Sequence, residues 1–367
     1  MRSILSYVVV IAIQADFAQY TLLMWFSNKR RIYLDYASAP PVLPEAIRVI
    51  REAKSLVGNP GAIHSEGASA KKSLEDSRAR IASLLGCKSR EIIFTSGLTE
   101  ANNLAILGYA RSIEIQRVTL RDSPKGYPLV SSGLAGTHWI VSSIEHDSVL
   151  GCFSEVERMG GAVSYVEPDE RGIILPESVE RVLRPETVFL SVGWANNEIG
   201  TVQLLGKIAR TLREYEKKHG NSAIFHSDAG QAPLYLPTVV DSLGVDLLSL
   251  GGNKLYGPHG IGALYVGKNT SIAPIVFGGK QERGIRAGTE SVVLAAGFTA
   301  AFKEVVHIRM YESKRVKAMR DELMWALAEK IPGLLVNGDI SHTLPHMLNV
   351  SIPNINSEYI ALALDHA

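Results

Sequence analysis

Polar side chains that could form covalent bonds or bind charged groups follow a series of apolar segments in this chain. In chain order they are Thr99, His146, Asn197, Asp228 with Gln231, and Lys254. Lys254 lies in the glycine-rich stretch GGNKLYGPHG, and a lysine amine can form a covalent bond with a carbonyl compound. Thr99 follows a Ser-Gly turn that opens a predicted helix, and helix N-termini bind phosphate. The set therefore predicts a site for a phosphorylated ligand joined to a lysine.

Each of these residues also has an ordinary structural explanation. Thr99 and Asp228 could be helix N-caps, and Asn197 could serve a turn. His146 could be a buried, hydrogen-bonded histidine, Gln231 a solvated helix residue and Lys254 an exposed turn lysine. The chain has no GxxxxGK[ST] motif, so the glycines beside the lysine do not make a P-loop. Their common position after predicted strands is what favours a functional site.

A single hypothesis, a pyridoxal phosphate site, accounts for all of these residues together. Lys254 would form the Schiff base with the cofactor, and Asp228 would pair with the pyridine nitrogen, so that the ring can accept negative charge. His146 would stack on the ring, while Asn197 and Gln231 would bond to its phenolic oxygen. The N-terminus of the predicted helix that begins near Thr99 would hold the phosphate.

Strand-like and helical segments alternate from residue 32 to about residue 300. The predicted strands are EIIFT (91–95), HWIVSSI (138–144), AVSYVEP (162–168), TVFLSVGWA (187–195), AIFHSDA (223–229), DLLSL (246–250) and GALYVG (262–267). This alternation predicts an α/β fold with a mostly parallel sheet. In such sheets ligands bind outside the carboxyl ends of the strands, where these polar residues would lie. The stretch 112–138 is long for a connection, and we expect a surface insertion or a small hairpin there.

The pattern of apolar, strand-like and helical segments divides the chain into three parts. Residues 1–31 are an extension whose apolar run is interrupted by Gln14, Asp16 and Gln19, so we expect no membrane anchor. Residues 32–300 form the large domain. Residues 301–367 continue with a long amphipathic helix, a strand and the start of another helix, which predicts the beginning of a smaller α+β domain that is not complete.

Composition excludes several classes of protein. With 38 basic and 37 acidic residues the net charge is +1, which gives no electrostatic case for binding nucleic acid. The 2 cysteines rule out a disulfide scaffold and fit a reducing compartment, so we predict a cytoplasmic protein. We predict no metal site.

Within residues 33–365 the sequence resembles the cysteine desulfurases of the class-V aminotransferase family. The matching motifs occur in the family's order: YLDYASAPP (33–41), GNPGAIHSEG (58–67), FTSGLTEANNLAI (94–106), EHDSV (145–149), ANNEIGTVQ (195–203), HSDAGQ (226–231), GGNKLYGPHGIGALYV (251–266) and GGKQERGIRAGTES (278–291). The resemblance implies the aspartate-aminotransferase fold, known as fold type I of pyridoxal phosphate enzymes. It also implies a homodimer with active sites at the subunit interface.

The same resemblance assigns a role to each candidate residue. Lys254 would carry pyridoxal phosphate, Asp228 would contact the ring nitrogen, and His146 would stack on the ring. Asn197 and Gln231 would make polar contacts to the ring. The phosphate would be bound by Thr99, the Leu98 backbone and, from the neighbouring subunit, Thr289.

Two departures from the family pattern affect the expected chemistry. Where relatives have Ser-Gly-His or Ser-Ala-His before the lysine, this chain has Gly251-Gly252-Asn253. A phosphate-binding hydroxyl is thus missing, although Asn253 can still donate a hydrogen bond to the cofactor. The family's nucleophilic cysteine and its arginine for the substrate carboxylate both lie beyond the matched region, and we do not expect Cys87 or Cys152 to replace that cysteine.

The resemblance implies that L-cysteine is converted to alanine and that its sulfur forms an enzyme persulfide. The sulfur would pass to an acceptor protein, either an iron–sulfur cluster scaffold or a tRNA-thiolation protein. Two alternatives remain open at this point. The chain could be a selenocysteine lyase or another pyridoxal phosphate lyase of the same fold, or a catalytically inactive, cofactor-binding partner subunit.

Overall fold

The computed structural model describes residues 9–12, 32–121 and 133–366. Within these ranges the strands are β1 (Val9–Ala12), β2 (Ile92–Thr95), β3 (His138–Ser142), β4 (Ala162–Val166), β5 (Thr187–Ser191), β6 (Ile224–Asp228), β7 (Leu247–Gly251), β8 (Gly262–Val266), β9 (Leu335–Val336) and β10 (Met347–Ser351). Each strand predicted from the alternating pattern is present, with its ends displaced by a few residues.

Helices separate most of these strands. In the described residues they are α1 (Pro44–Ala53), α2 (Ser65–Leu85), α3 (Leu98–Arg121), α4 (Asp147–Arg158), α5 (Pro176–Glu180), α6 (Leu205–His219), α7 (Val240–Leu243), α8 (Val292–Lys330) and α9 (Ser357–His366). Several ends carry sequence signals for helix termination. Gly86, Gly220 and Gly244 end α2, α6 and α7 in the left-handed conformation, which glycine adopts without steric cost.

The central sheet has seven strands in the order β2-β8-β7-β6-β5-β3-β4. Its neighbours are parallel except at β8, which runs antiparallel to both β2 and β7. The other strands therefore share one direction, and the prediction of a mostly parallel sheet is confirmed. Their carboxyl ends lie along one edge, which brings together the residues that follow β2, β3, β5, β6 and β7.

Helices cover both faces of this sheet. Strands β2, β3, β7 and β8 are buried along their whole length, as expected for a sheet enclosed on both sides. On one face α3 and α4 pack over an aromatic group in which the Trp139 and Phe189 rings stack 5.0 Å apart. On the other face α1, α2 and the first half of α8 close the larger part of the core. The sheet is thus the middle layer of three, and this fixes the position of its functional edge.

Part of the stretch 112–138 differs from the prediction. Helix α3 continues to Arg121, so its residues from 112 onward extend the helix that begins at Leu98 and form neither an insertion nor a hairpin. Residues 122–132 lie outside the described residues, and the expectation of a hairpin there is untested.

Beyond the central sheet, α8 runs for 39 residues without a break, across the predicted boundary at 300 and 301. Its first half packs in the core beside the central sheet, and Met324 in its second half packs with Leu348 and Val350 of β10. A small antiparallel sheet has the order β1-β10-β9, so that four residues of the N-terminal stretch, Val9–Ala12, pair with β10. The rest of residues 1–31 lies outside the described residues. No helix in the described part of the chain is long and apolar enough to cross a membrane.

Candidate active site

A cavity of about 620 Å³ opens at the carboxyl edge of the central sheet. All the predicted site residues except Thr289 line it, namely Leu98, Thr99, His146, Asn197, Asp228, Gln231, Asn253 and Lys254. They come from the carboxyl end of β6 and from the segments that follow β2, β3, β5, β6 and β7, so the common edge of these strands accounts for the grouping. Thr289, which was expected to act in a neighbouring subunit, is not among the lining residues.

Lys254 lies in a 3-10 turn (Asn253–Leu255) directly after β7, and its amine is held by main-chain carbonyls. Its Nζ donates hydrogen bonds to Ala37 O at 2.8 Å and to Ser38 O at 2.7 Å. Burial lowers the pKa of the amine, and the carboxylates of Asp228 and Asp35 oppose this effect. The amine is therefore positioned and loses its proton more readily than a lysine in water.

Gln231 contributes to the same anchor. Its Nε2 donates a 2.7 Å hydrogen bond to Ala37 O, the carbonyl that also accepts from Lys254. The side chain is only 4% exposed, so the alternative of a solvated helix residue is wrong. Residues 37 and 38 had no predicted role, because a main-chain carbonyl leaves no mark in the residue type.

Asp228 is the last residue of β6 and is held by two donors. Asn102 Nδ2 donates to Oδ2 at 2.7 Å, and the Gly230 N–H donates to Oδ1 at 2.8 Å. Burial raises the pKa of the carboxyl group, whereas these hydrogen bonds and the nearby His146 and Lys254 act to lower it. Asp228 ends a strand and does not cap a helix, so that structural alternative is wrong.

His146 is connected to Asp228 through two residues whose role the sequence did not indicate. His146 caps α4, and its Nδ1 accepts the Ser148 N–H at 3.0 Å. The Ser148 hydroxyl lies 2.9 Å from the same nitrogen and accepts a 2.9 Å hydrogen bond from Asn102 Nδ2. Since Nδ1 accepts the backbone N–H, it carries no proton, and the hydroxyl donates to it. Asn102 follows Thr99 by three residues on α3, a spacing that could have indicated the shared helix face.

Glu145, next to His146 in the chain, is a partly buried carboxyl group in the cavity wall. Its Oε1 accepts the Gly193 N–H at 2.7 Å. Burial raises the pKa of Glu145 to about 8, and the nearby Asp228 carboxylate adds to this effect. At neutral pH the Glu145 carboxyl group is thus mostly protonated.

Asn197 is presented by a turn that its neighbour Asn196 organises. Asn196 Oδ1 accepts the Glu198 N–H at 2.9 Å, and Asn196 Nδ2 donates to Ile144 O at 3.0 Å. The turn is thereby fixed to the segment that carries Glu145 and His146. The side chain that stabilises the turn is therefore that of Asn196, while Asn197 lines the cavity.

The end of the cavity nearest α3 contains the predicted phosphate site. Thr99 is the second residue of α3 and lies inside the helix, so the N-cap alternative is wrong for Thr99 as well. A Cβ atom placed on Gly251 would lie 3.0 Å from Leu98 Cβ and 3.6 Å from Leu98 N. A Cβ atom on Gly230 would lie 2.7 Å from Leu98 Cδ2. Leu98 thus fills space that the two glycines leave, and position 251 faces the start of the helix.

The two cysteines lie elsewhere. Cys87 follows α2, Cys152 lies within α4, and neither lines the cavity. Burial raises the pKa of each thiol to about 12. A thiol nucleophile needs exposure and a lowered pKa, so the expectation that neither residue is catalytic agrees with their positions.

Comparisons with known proteins agree with this geometry. The family model described as "Aminotransferase class-V" matches residues 32–120 and 127–367. A cysteine desulfurase IscS of Dictyoglomus turgidum is 36% identical over 338 residues, which cover 92% of this chain and 79% of that protein. A putative cysteine desulfurase IscS 1 of Bacillus subtilis is 37% identical and is covered over 83% of its length.

Solved structures give the same result. A NifS-like protein superposes with a TM-score of 0.82 at 29% identity, with 92% of this chain and 86% of that chain covered. The structure of SspA in complex with cysteine superposes with a TM-score of 0.75 at 31% identity, covering 92% of this chain and 87% of the other. The predicted fold type I is therefore confirmed. The chain belongs to the class-V aminotransferases and, within them, to the cysteine desulfurases.

Proposed function

We propose that this chain binds pyridoxal phosphate and uses it to remove sulfur from L-cysteine, releasing alanine. The observation that carries the proposal is the convergence of Lys254, Asp228 and His146 on one cavity beside the N-terminus of α3. An amine, a partly buried carboxylate, an imidazole and a helix N-terminus are the groups that a phosphorylated pyridine aldehyde requires. The similar structure of SspA, which was solved in complex with cysteine, supports the same substrate.

The residues present fit the cofactor. Lys254 would carry it, Asp228 would hold positive charge at the ring nitrogen, and His146 would contact the ring. Asn197 and Gln231 would bond to the ring, whereas Leu98 N, Thr99 and Asn253 would hold the phosphate. When bound, the cofactor supplies an acceptor for the electron pair that remains when the substrate Cα loses its proton.

The chain's own groups have defined tasks in this reaction. The Lys254 amine, with its pKa lowered by burial, is the base that takes a proton from the substrate and returns it. The Ala37 and Ser38 carbonyls hold this amine when it is free. The network from Asn102 through Ser148 keeps the His146 ring oriented, with its proton on Nε2. The sulfur that leaves the substrate must pass to a thiol. Neither Cys87 nor Cys152 lines the cavity, so in an assay the added thiol reductant would accept it.

Several wider parts of the proposal follow from the family. We expect a homodimer in which Thr289 completes the partner's phosphate site, and a sulfur-acceptor protein of the iron–sulfur scaffold or tRNA-thiolation type. The cytoplasmic location stays a prediction.

The first test is cofactor binding by the lysine. Purified protein with added pyridoxal phosphate should show the visible absorbance band of the lysine-bound cofactor. Lys254→Ala should abolish it, because no other amine is held in the same way at the cavity in the described residues. Lys207→Ala, which removes an exposed lysine on α6, is the matched control and should retain the band. Equal bands in wild type and Lys254→Ala would contradict the proposed function.

The second test is turnover in the presence of a thiol reductant. Alanine formed from L-cysteine should depend on Lys254 and should persist in the double variant C87A/C152A. Release of alanine from selenocysteine but not from cysteine would favour the lyase alternative. A cofactor band without any turnover would favour the partner-subunit alternative.

A further inference from the structure

The lining of the cavity is rich in acidic side chains. It includes Asp35, Glu100, Glu145, Glu198 and Asp228, whereas Lys254 is the lysine among its residues and no arginine of the described part of the chain belongs to it. A phosphate group would therefore enter a cavity whose lining is predominantly acidic. Since like charges a few ångströms apart repel strongly at reduced dielectric, some group outside the lining must offset this charge.

Glu100 is the acidic residue closest in sequence to the predicted phosphate contacts. It lies in the first turn of α3, directly after Thr99, and its Oε2 accepts the Ser96 N–H at 2.6 Å. Burial acts to raise the pKa of Glu100, but hydrogen bonds from Arg286 and Ser96 hold it below the ordinary value. Glu100 is thus an anion at the helix N-terminus where an anionic ligand should bind.

Arg286 pairs with this carboxylate through two contacts. Arg286 Nε donates to Oε1 at 2.7 Å and Nη2 donates to Oε2 at 3.2 Å, and the side chains are 22% and 15% exposed. The arginine belongs to the segment 278–291, which a second ion pair anchors. Arg78 Nη1 lies 2.6 Å from Glu282 Oε2, and both side chains are almost completely buried. Arg286 is therefore supplied from a fixed segment.

We propose that Arg286 is a positioning residue that allows a phosphate-bearing ligand to bind at the N-terminus of α3. It does so by neutralising Glu100 and by holding the Glu100 carboxylate on the Ser96 N–H, away from the ligand's phosphate. The inference rests on the proposed function, because it concerns the phosphate of the same cofactor. It adds a residue that does not itself line the cavity and acts through Glu100, which does.

The test compares two ligands that differ only in the phosphate. Cofactor-free protein is titrated with pyridoxal phosphate and with pyridoxal, and the dissociation constants are measured from the lysine-dependent absorbance band. In Arg286→Gln the unpaired Glu100 carboxylate should repel the phosphate. The dissociation constant of pyridoxal phosphate should therefore rise by about tenfold or more, whereas that of pyridoxal should change little. Adding Glu100→Gln to this variant should restore most of the affinity, and Arg286→Lys should retain part of it.

The control is Arg213→Gln, which breaks a part-buried ion pair with Asp246 away from the cavity. It should leave the ratio of the two affinities unchanged. Two results would overturn the inference while leaving the cofactor site intact. One is an equal loss of affinity for both ligands in Arg286→Gln, and the other is no recovery of pyridoxal phosphate affinity on adding Glu100→Gln. If Arg286→Gln does not fold, Glu100→Gln alone decides the question, since it should preserve or raise the preference for the phosphorylated ligand. A wild-type protein that binds neither ligand through Lys254 would overturn the proposed function and this inference together.

Discussion

The residues that would contact the cofactor owe their properties to neighbours that would not contact it. Asn102 is the clearest case, since one amide nitrogen donates to Asp228 and to Ser148 and so connects the ring-nitrogen and ring-face positions. Glu145 shows the same dependence, because its protonation at neutral pH follows from burial beside Asp228. The protonation and orientation of the proposed cofactor contacts therefore depend on the residues hydrogen-bonded to them, and not on the contact residues alone.

Variants at position 251, where relatives have a serine, can measure how much the missing serine hydroxyl contributes to phosphate binding. Gly251→Ser and Gly251→Ala introduce the same Cβ atom close to Leu98, so the steric cost is common to both. Their difference reports the hydroxyl alone, and a neutral hydrogen bond contributes about 1 kcal/mol. We expect Gly251→Ser to bind pyridoxal phosphate several-fold more tightly than Gly251→Ala, by titration. The two variants should bind pyridoxal equally, and a preference that persists without the phosphate would contradict this assignment.

Glu145 should make stability depend on pH. Its pKa in the folded protein, about 8, exceeds the ordinary value of 4.5, so between these values the folded state binds more protons than the unfolded state. The free energy of unfolding must therefore fall as pH rises from 4.5 to about 8. In cofactor-free protein, Glu145→Gln should remove this loss and be relatively more stable at the alkaline end by about 1 kcal/mol or more. Urea unfolding measures it, with exposed Glu177→Gln as the control. Identical pH profiles for wild type and Glu145→Gln would show that the carboxyl group is ionised in the fold.

The sequence allowed the residues after each strand to be predicted, because parallel strands bring their carboxyl ends to one edge. It did not indicate the contacts between distant segments. Ala37 O and Lys254 Nζ are 217 residues apart in sequence, and the acceptor is a main-chain atom. Serine and asparagine are common on the surface of helices, so the residue types of Ser148 and Asn102 gave no sign of a function. Their role follows only from their hydrogen bonds to His146 and Asp228 in the folded chain.

At the scale of elements, the segment 278–291 depends on one buried ion pair. Its residues Glu282 and Arg283 both adopt the left-handed conformation, with φ of 46° and 59°. Glu282 accepts two hydrogen bonds from Arg78 and one from the Phe94 N–H of β2. The segment is thus held to β2, the strand that leads into the proposed phosphate site. The ion pair offsets the cost of two unfavourable backbone conformations.

This arrangement predicts a non-additive pair of variants. Arg78→Met leaves Glu282 buried without its partner, which should lower the free energy of unfolding by about 3–5 kcal/mol. Adding Glu282→Gln removes the uncompensated charge and keeps an acceptor for the Phe94 N–H, so the double variant should be more stable than Arg78→Met. Urea unfolding of both variants tests this. A double variant less stable than the single one would mean that the charge of Glu282 is not what makes Arg78→Met costly.

At the scale of the molecule, β10 and the segment before it support the cavity from outside. Asn349 Nδ2 donates to Glu198 O at 3.1 Å, and the Val202 and Leu344 N–H groups donate to His342 O and Gly200 O at 2.7 and 2.9 Å. These bonds connect β10 and the segment before it to the turn that carries Asn197. The continuous helix α8 joins the same two regions at another point. The position of Asn197 therefore depends on contacts with residues 342–349 as well as on the central sheet.

Thr289 is the predicted site residue that this chain does not bring to its own cavity, and the proposed dimer gives it a function. If Thr289 serves the partner's phosphate site, Thr289→Ala should weaken pyridoxal phosphate in the homodimer. Mixed dimers with Lys254→Ala subunits should contain one intact site, since the Thr289→Ala subunit supplies the lysine and its partner supplies the threonine. After random pairing in equal amounts, roughly a quarter of all subunits should bind the cofactor with wild-type affinity. Titration of the exchanged mixture measures this fraction, with the unmixed Thr289→Ala protein as the control. A mixture without a tight-binding fraction would place Thr289 outside the partner's site.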